Sequence, residues 1–396
     1  MILIKNETND ILIRDDKIVK IDKNISATAD MSIINTKKLV VAPGFIDIHV
    51  HFREPGFEYK EDILSGAAAA AAGGVTTCCC MPNTLPVIDN TEVLEYVIDK
   101  AKNAAVTVLP IAAVTVGQRG IELTDFAALK KAGAVALSDD GIPIINDGVM
   151  RAALLKAKEN DMLIISHCEE EEPMVERDIR LAEETDSRVH IAHVSTASAV
   201  EAIRKAKAKG IKVTAEAAPH HFYLTEDAVV EKGTLAKMSP PLRKQEDVEA
   251  IIQGICDGTI DAIATDHAPH SVEEKNLPYN EAPNGIIGLE SLLAVTLTAL
   301  YHTGKLGLAE IIKLISTNPS KILTFDAGEL KEGCIADIVI FDPDEEWTVD
   351  PSKFMSKARN TPFGGMKLRG KVKYTISCGR LVFEDSANTK IRITNT

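Results

Sequence analysis

The chain has 396 residues, 45% of them hydrophobic and only 4% aromatic, which suits a helix-rich α/β enzyme with one large and one smaller domain better than an all-β protein. Its formal net charge of −14 argues against nucleic acid and anionic membranes as partners. Seven cysteines with no Cys-x-x-Cys spacing argue against a disulfide framework and a thiolate zinc site.

The first residues, Met1–Asn6, lack the apolar core of a secretion signal, and no run approaches about 18 uninterrupted apolar residues, so the expected location is the cytoplasm. Asp10–Arg14 and Lys17–Ile21 alternate around the turn signal Asp15-Asp16, which predicts short antiparallel strands. From Gly44 onward, strand-like runs alternate with helical stretches. Strands are expected at Phe45–Val50, Val75–Met81, Val106–Ala113, Ala134–Ser138, Met162–His167, Val189–His193, Lys212–Ala217 and Ala262–Thr265. Helices are expected at Glu61–Ala72, Thr91–Ala104, Gly148–Asn160 and Ala197–Lys209, with an N-cap near Asn90 and a stop at Gly73-Gly74. Eight strands interleaved with helices predict a (β/α)8 TIM-type barrel. A doubly wound open sheet is the weaker reading, because no Gly-x-Gly-x-x-Gly follows the first strand. After about Phe325 the chain returns to strands, at Ala336–Asp342, Lys371–Ser377 and Arg380–Phe383. Residues 44–324 are therefore expected to form the barrel, and 1–43 with 325–396 a small β-domain beside it.

Side chains at the C-terminal ends of barrel strands converge on one face. His49 and His51 end the first strand, and residues two apart in a strand point the same way. Asp139-Asp140 end the fourth strand, His167 the fifth, His193 the sixth and Asp266 the eighth, with His267 and His270 following. Four imidazoles and two or three carboxylates suit one or two divalent ions, with a carboxylate able to bridge a pair. Such an ion makes water acidic enough to attack an amide, and a carboxylate beside it can take the proton and return it to the leaving nitrogen. Arg53, two residues past a ligand, is placed to grip a substrate carboxylate, although a surface ion pair is the plainer role for it alone. Asn83 can assist it or merely stabilise a turn. Cys78, Cys79 and Cys80 read as buried small hydrophobes. His220-His221 read as neighbours of the site, not ligands, and His190 and His302 as residues with no catalytic role.

The segments Gly44–Gly56, Met81–Thr84, Thr214–His221, Ala264–His270 and Asn360–Phe363 resemble the amidohydrolase superfamily and, within it, the dihydroorotase family, over essentially the whole chain. The resemblance implies a barrel with a small β-sandwich, and zinc-dependent, reversible cyclisation of N-carbamoyl-L-aspartate to L-dihydroorotate in pyrimidine (UMP) biosynthesis. It implies one zinc on His49, His51 and Asp266, a second on His167 and His193, and Asp140 bridging them. Asp266 would also shuttle the proton, and Arg53, Asn83 and His270 would hold the substrate carboxylate. It further implies a homodimer and an association with aspartate transcarbamoylase. Asp140 stands where hydantoinases, allantoinases and one dihydroorotase class carry a carboxylated lysine, and Arg53 where allantoinases have Asn. Both features favour dihydroorotase over another cyclic-amide hydrolase, and the retained ligand set speaks against a non-catalytic scaffold. Three departures stand out. Ser239 replaces the family's substrate-contacting Asn, Asn284 stands in place of Phe in Pro-Phe-Gly, and the 168–188 segment is short and acidic. Its run Glu169–Glu172 reads as a solvated stretch.

Overall fold

The computed structural model describes residues 1–385. Four strands open the chain: β1 (Ile2–Lys5), β2 (Asp10–Arg14), β3 (Lys17–Asp22) and β4 (Ser32–Asn35). They form one sheet in the order β3-β2-β1-β4. The Asp15-Asp16 turn joins β2 and β3 as expected, with Asp15 in the left-handed region at φ 54°. A fifth strand, β5 (Val40–Pro43), leads into the barrel.

The parallel barrel strands are β6 (Phe45–Val50), β7 (Val75–Cys80), β8 (Thr107–Pro110), β9 (Ile164–Ser166), β10 (Val189–Ile191), β11 (Val213–Ala217) and β12 (Ala262–Ile263). Around them run α1 (Ile63–Ala72), α2 (Thr91–Ala101), α3 (Phe126–Ala132), α4 (Asp147–Glu159), α5 (Glu171–Thr185), α6 (Ala197–Ala208), α7 (Asp227–Lys232) and α8 (Gln245–Asp257). The expected fourth strand, 134–138, keeps its place and bonds through its backbone to both neighbours, but forms no continuous strand. Only Leu137 bridges its neighbours, Ala112 and Ile164. Its neighbour β8 ends in Pro110, which has no N–H to give and serves only as acceptor for Val135. The ring closes where Val50 bridges His267 and the His51 amide donates to the His267 carbonyl at 2.8 Å. Most other expected strands are shorter than the sequence suggests, by one to four residues.

Both faces of the barrel strands are buried, as expected of a parallel sheet covered by helices. Ile46, Ile48, Cys79, Ile111, Ala136 and Ile165 fill the interior. Helix starts follow local chemistry: Asp62 and Ser65 make a capping box on α1, and Asn90 caps α2 by accepting from the Val93 amide. The alanine run of α1 is buried, and Gly66 within it lets the helix approach Phe52, where a Cβ would stand 2.3 Å from the ring.

The chain then returns to β13 (Ile338–Thr348), β14 (Lys367–Ser377) and β15 (Arg380–Glu384), in a sheet of order β15-β14-β13-β5. N-terminal Ile4, Ile11, Ile13 and Ile18 pack against Ile338, Ile340 and Ile376 in one apolar cluster. Terminal segments far apart in sequence thus share one β-sandwich. The last residues assigned to it from sequence, 386–396, lie outside the described residues.

Candidate active site

Each candidate ligand lies at or just beyond the C-terminal end of a barrel strand, and all six are buried. Nε2 of His49 stands 3.2 Å from Asp140 Oδ1 and 3.6 Å from Asp266 Oδ1. Nε2 of His51 stands 3.1 Å from Asp266 Oδ1 and 3.4 Å from Asp140 Oδ2. Nδ1 of His167 lies 3.3 Å from Asp140 Oδ1 and 2.8 Å from His193 Nε2. Asp140 therefore faces both histidine pairs. Two trios bring ligand atoms within 4.8 Å of one another: His49, His51 and Asp266, and His49, Asp140 and His193. The second trio draws on His49, not on His167.

The donor set fits a divalent cation on physical grounds. Nδ1 of His49 lies 2.6 Å from Glu216 Oε1. A carboxylate only accepts, so in the neutral imidazole Nδ1 carries the proton and Nε2 offers a lone pair. That lone pair faces two more carboxylates, and His49 Nε2 and Asp140 Oδ1 are both buried without a hydrogen bond. Converging buried lone pairs are costly unless a cation lies between them, and imidazole nitrogens with carboxylate oxygens are ligands zinc accepts. The local field points the same way. Burial disfavours a charged His49, yet Asp140 and Glu216 hold its pKa well above 6.5. Burial alone would raise Asp140 and Asp266, but the surrounding imidazoles pull both below the usual carboxylate range.

The cluster opens into a cavity of about 230 Å³ whose walls include Arg53, Asn83, Ser239, His270 and Asn284. Arg53 Nε donates to the Pro269 carbonyl at 3.2 Å, and one terminal nitrogen lies 3.4 Å from His270 Nε2. Asn83 Oδ1 lies 2.9 Å from His51 Nδ1, which leaves the Asn83 amide nitrogen free to donate. His270 Nε2 lies 2.7 Å from the Asn284 carbonyl, so the proton sits on Nε2. Burial first, then Arg53 and Lys60, push the His270 pKa down to about 3, which keeps the ring neutral. Arg53, His193 and Asp266 all occupy left-handed backbone, at φ 62°, 33° and 51°. That conformation costs roughly 1–2 kcal/mol for a residue with a Cβ, and strain of this kind gathers at functional sites.

Several supporting residues escape sequence reasoning. Glu216 orients His49 and is itself held by His190 Nε2 at 3.3 Å, while His190 Nδ1 meets Thr214 Oγ1 at 2.8 Å. His190 thus stands, through Glu216, behind a candidate ligand. Asp47 accepts from Thr265 Oγ1 at 2.6 Å and from the His49 amide at 3.1 Å, tying the first strand end to the eighth. The expectation of a solvated Glu169–Glu172 run is corrected at Glu171. Glu171 is buried and accepts from the Ser195 and Thr196 amides and from both their hydroxyls. It opens α5 and so points back beneath the turn that carries His193. Its neighbour Glu169 reaches the cavity wall. The Cys78–Cys80 run is buried, with burial raising each thiol pKa. His221 Nε2 meets the Pro240 carbonyl at 3.0 Å, and His302 Nε2 meets the Pro343 carbonyl at 2.9 Å.

Comparison with known proteins decides the family. Residues 37–232 match the "Dihydro-orotase-like" family model. A dihydroorotase of Clostridioides difficile (strain 630) is 46% identical, with 97% of this chain and all of the relative covered. The chain belongs to the dihydroorotase family. A second dihydroorotase, from Thermoanaerobacter sp. (strain X514), is 48% identical over 97% of this chain and 95% of its own. Among solved structures, the L-hydantoinase of Arthrobacter aurescens superposes with a TM-score of 0.87 at 24% identity, covering 97% of this chain and 96% of the other. A D-hydantoinase gives 0.86 at 25% identity, covering 97% and 95%. The barrel-plus-sandwich architecture is thus shared with cyclic-amide hydrolases. Among the described residues no helix is long and apolar enough to cross a membrane.

Proposed function

We propose that this chain interconverts N-carbamoyl-L-aspartate and L-dihydroorotate in pyrimidine biosynthesis, as a metal-dependent cyclic amidohydrolase. The observation that carries the reading is the placement of Arg53 in the cavity wall beside the candidate ligand cluster, with Nε held by the Pro269 carbonyl. A ring carboxylate gives the guanidinium a bidentate, charge-assisted partner; an uncharged cyclic amide does not.

The proposed metal is zinc, with one or two ions per chain held by His49, His51, Asp140, His167, His193 and Asp266. When bound, it polarises the amide carbonyl and lowers the pKa of water. The remaining work falls to the chain. Asp266 Oδ1 faces the cluster and carries the proton: from water to the ring nitrogen in hydrolysis, and from the ureido nitrogen to the departing oxygen in cyclisation. Arg53 and the Asn83 amide hold the α-carboxylate, and His270 flanks it. Ser239 and Asn284 line the ring's side of the cavity. Residues 1–43 with 325–396, and 44–324, are the two proposed domains. A homodimer in the cytoplasm, with an association to aspartate transcarbamoylase, completes the reading.

A substrate panel tests it. L-dihydroorotate should be opened at least a hundredfold more efficiently than hydantoin, dihydrouracil or allantoin. Preference for an uncharged ring would move the assignment to another cyclic-amide hydrolase.

A further inference from the structure

Lys275 is only 3% exposed, and an ammonium at that depth must have all three of its donors met. Nζ donates to the carbonyls of Pro283 and Gly285, each at 2.9 Å, and of Lys237 at 3.2 Å. All three acceptors are main chain. Pro283 and Gly285 flank Asn284, and Lys237 lies two residues before Ser239. The ammonium therefore pins together the two loops that carry the cavity's polar wall.

The join is built from both sides. Lys237 sends its own ammonium across to the carbonyls of Tyr279 and Ala282, at 2.5 and 2.6 Å. The Gly285 amide donates to the Lys237 carbonyl at 3.0 Å, and Thr234 Oγ1 reaches the Lys275 carbonyl at 2.5 Å. No side chain at Gly285 can take over the anchoring. Its φ is +130°, and a Cβ there would stand 2.7 Å from Ala268 Cβ and 3.1 Å from His270 Nε2. The pinned loop also reaches the carboxylate end of the cavity: the Asn284 carbonyl fixes His270 Nε2, which lies 3.4 Å from Arg53.

We propose that Lys275 is a positioning residue for substrate binding. Its ammonium sets the spacing of Ser239 and Asn284 and, through the Asn284 carbonyl, the seat of His270 beside Arg53. The inference rests on reading this cavity as the dihydroorotate site. It separates binding from chemistry, because the three bonds of Nζ involve none of the six ligand residues.

The test is steady-state kinetics of full-length, metal-loaded Lys275→Met on both L-dihydroorotate and N-carbamoyl-L-aspartate, with metal content measured alongside. The expected result is a KM raised roughly ten- to hundredfold, the range for lost hydrogen bonds to a charged group, with kcat within about threefold and metal content unchanged. Lys275→Arg, which keeps the charge but not three converging donors, should fall between. Should Lys275→Met fail to fold, Lys275→Gln is read the same way. An active wild type whose KM is unchanged in the variant, or a variant that loses kcat and metal at constant KM, overturns the role of Lys275 alone. A metal-loaded wild type inactive on both compounds overturns the functional reading and this inference together.

Discussion

Glu216 Oε1 lies 2.6 Å from His49 Nδ1, while the Nε2 of the same ring faces Asp140 and Asp266. One carboxylate thus fixes the tautomer that leaves a lone pair on the other ring nitrogen, available to a metal ion. Glu216 is itself held ionised. Burial opposes this, but the charge and bonds of His49 and His190 bring its pKa down to about 2. Replacing it by Gln keeps an acceptor and removes the charge. Metal affinity of Glu216→Gln should fall by roughly ten- to hundredfold, the usual scale for partners of metal-binding histidines. Metal titration against a competing chelator measures this, and wild-type affinity would show that Glu216 is only a packing residue.

Asp266 faces His51 and His49, and the proposed mechanism also gives it the proton. Asp266→Asn should lower kcat by at least about a hundredfold, as expected for losing a positioned general base and acid, while the thermal melt stays cooperative. A rate near wild type would exclude the proton role.

Arg53 lines the cavity, with its Nε on the Pro269 carbonyl and one outer nitrogen 3.4 Å from His270 Nε2. Arg53→Met should weaken substrate binding by roughly ten- to hundredfold, the equivalent of one or two charge-assisted hydrogen bonds. Its effect should appear in KM more than in kcat. Unchanged substrate affinity would mean the guanidinium serves the loop alone.

Glu171 anchors the turn after His193 through two backbone amides and two hydroxyls. Glu171→Ala strands those donors, so urea unfolding should show a loss of roughly 2–4 kcal/mol, a typical cost for leaving buried groups unpaired. A change below about 0.5 kcal/mol, the size of an ordinary surface substitution, would restore the solvated reading of this run.

What the sequence discloses follows from period and position. The apolar run into His49-Val50-His51 forms β6 with the bounds expected of it, and Asn90, within the stretch Asp89-Asn90-Thr91 where an N-cap was expected, caps α2. The convergence of the candidate ligands was legible because they end strands, and a barrel brings strand ends together. Glu171 was not legible. It stands among three other glutamates, and only the return of α5 beneath the next strand end makes it the buried one. Glu216 was overlooked for its neighbours His220-His221, although alternation along β11 aims it into the barrel. The fourth strand is irregular because its neighbour β8 ends in Pro110, which has no N–H to offer it.

Glu290 gives a pH signature outside the candidate ligand set. Burial raises its pKa from 4.5 to about 7, against the pull of the Met355 and Ser356 amides and of Arg359. The folded state therefore binds this proton more tightly than the unfolded one. The corresponding stability is fully present below pH 4.5 and lost as pH rises through about 7. The difference in unfolding free energy between wild type and Glu290→Gln should shift toward the variant across that window. A pH-independent difference would show that Glu290 is ionised throughout.

The most direct test of the central claim is interconversion of L-dihydroorotate and N-carbamoyl-L-aspartate, followed in both directions on protein whose zinc content is determined in the same preparation. The account predicts turnover both ways that scales with bound zinc and is lost on chelation. Protein holding one or two zinc ions per chain that turns over neither compound would contradict it.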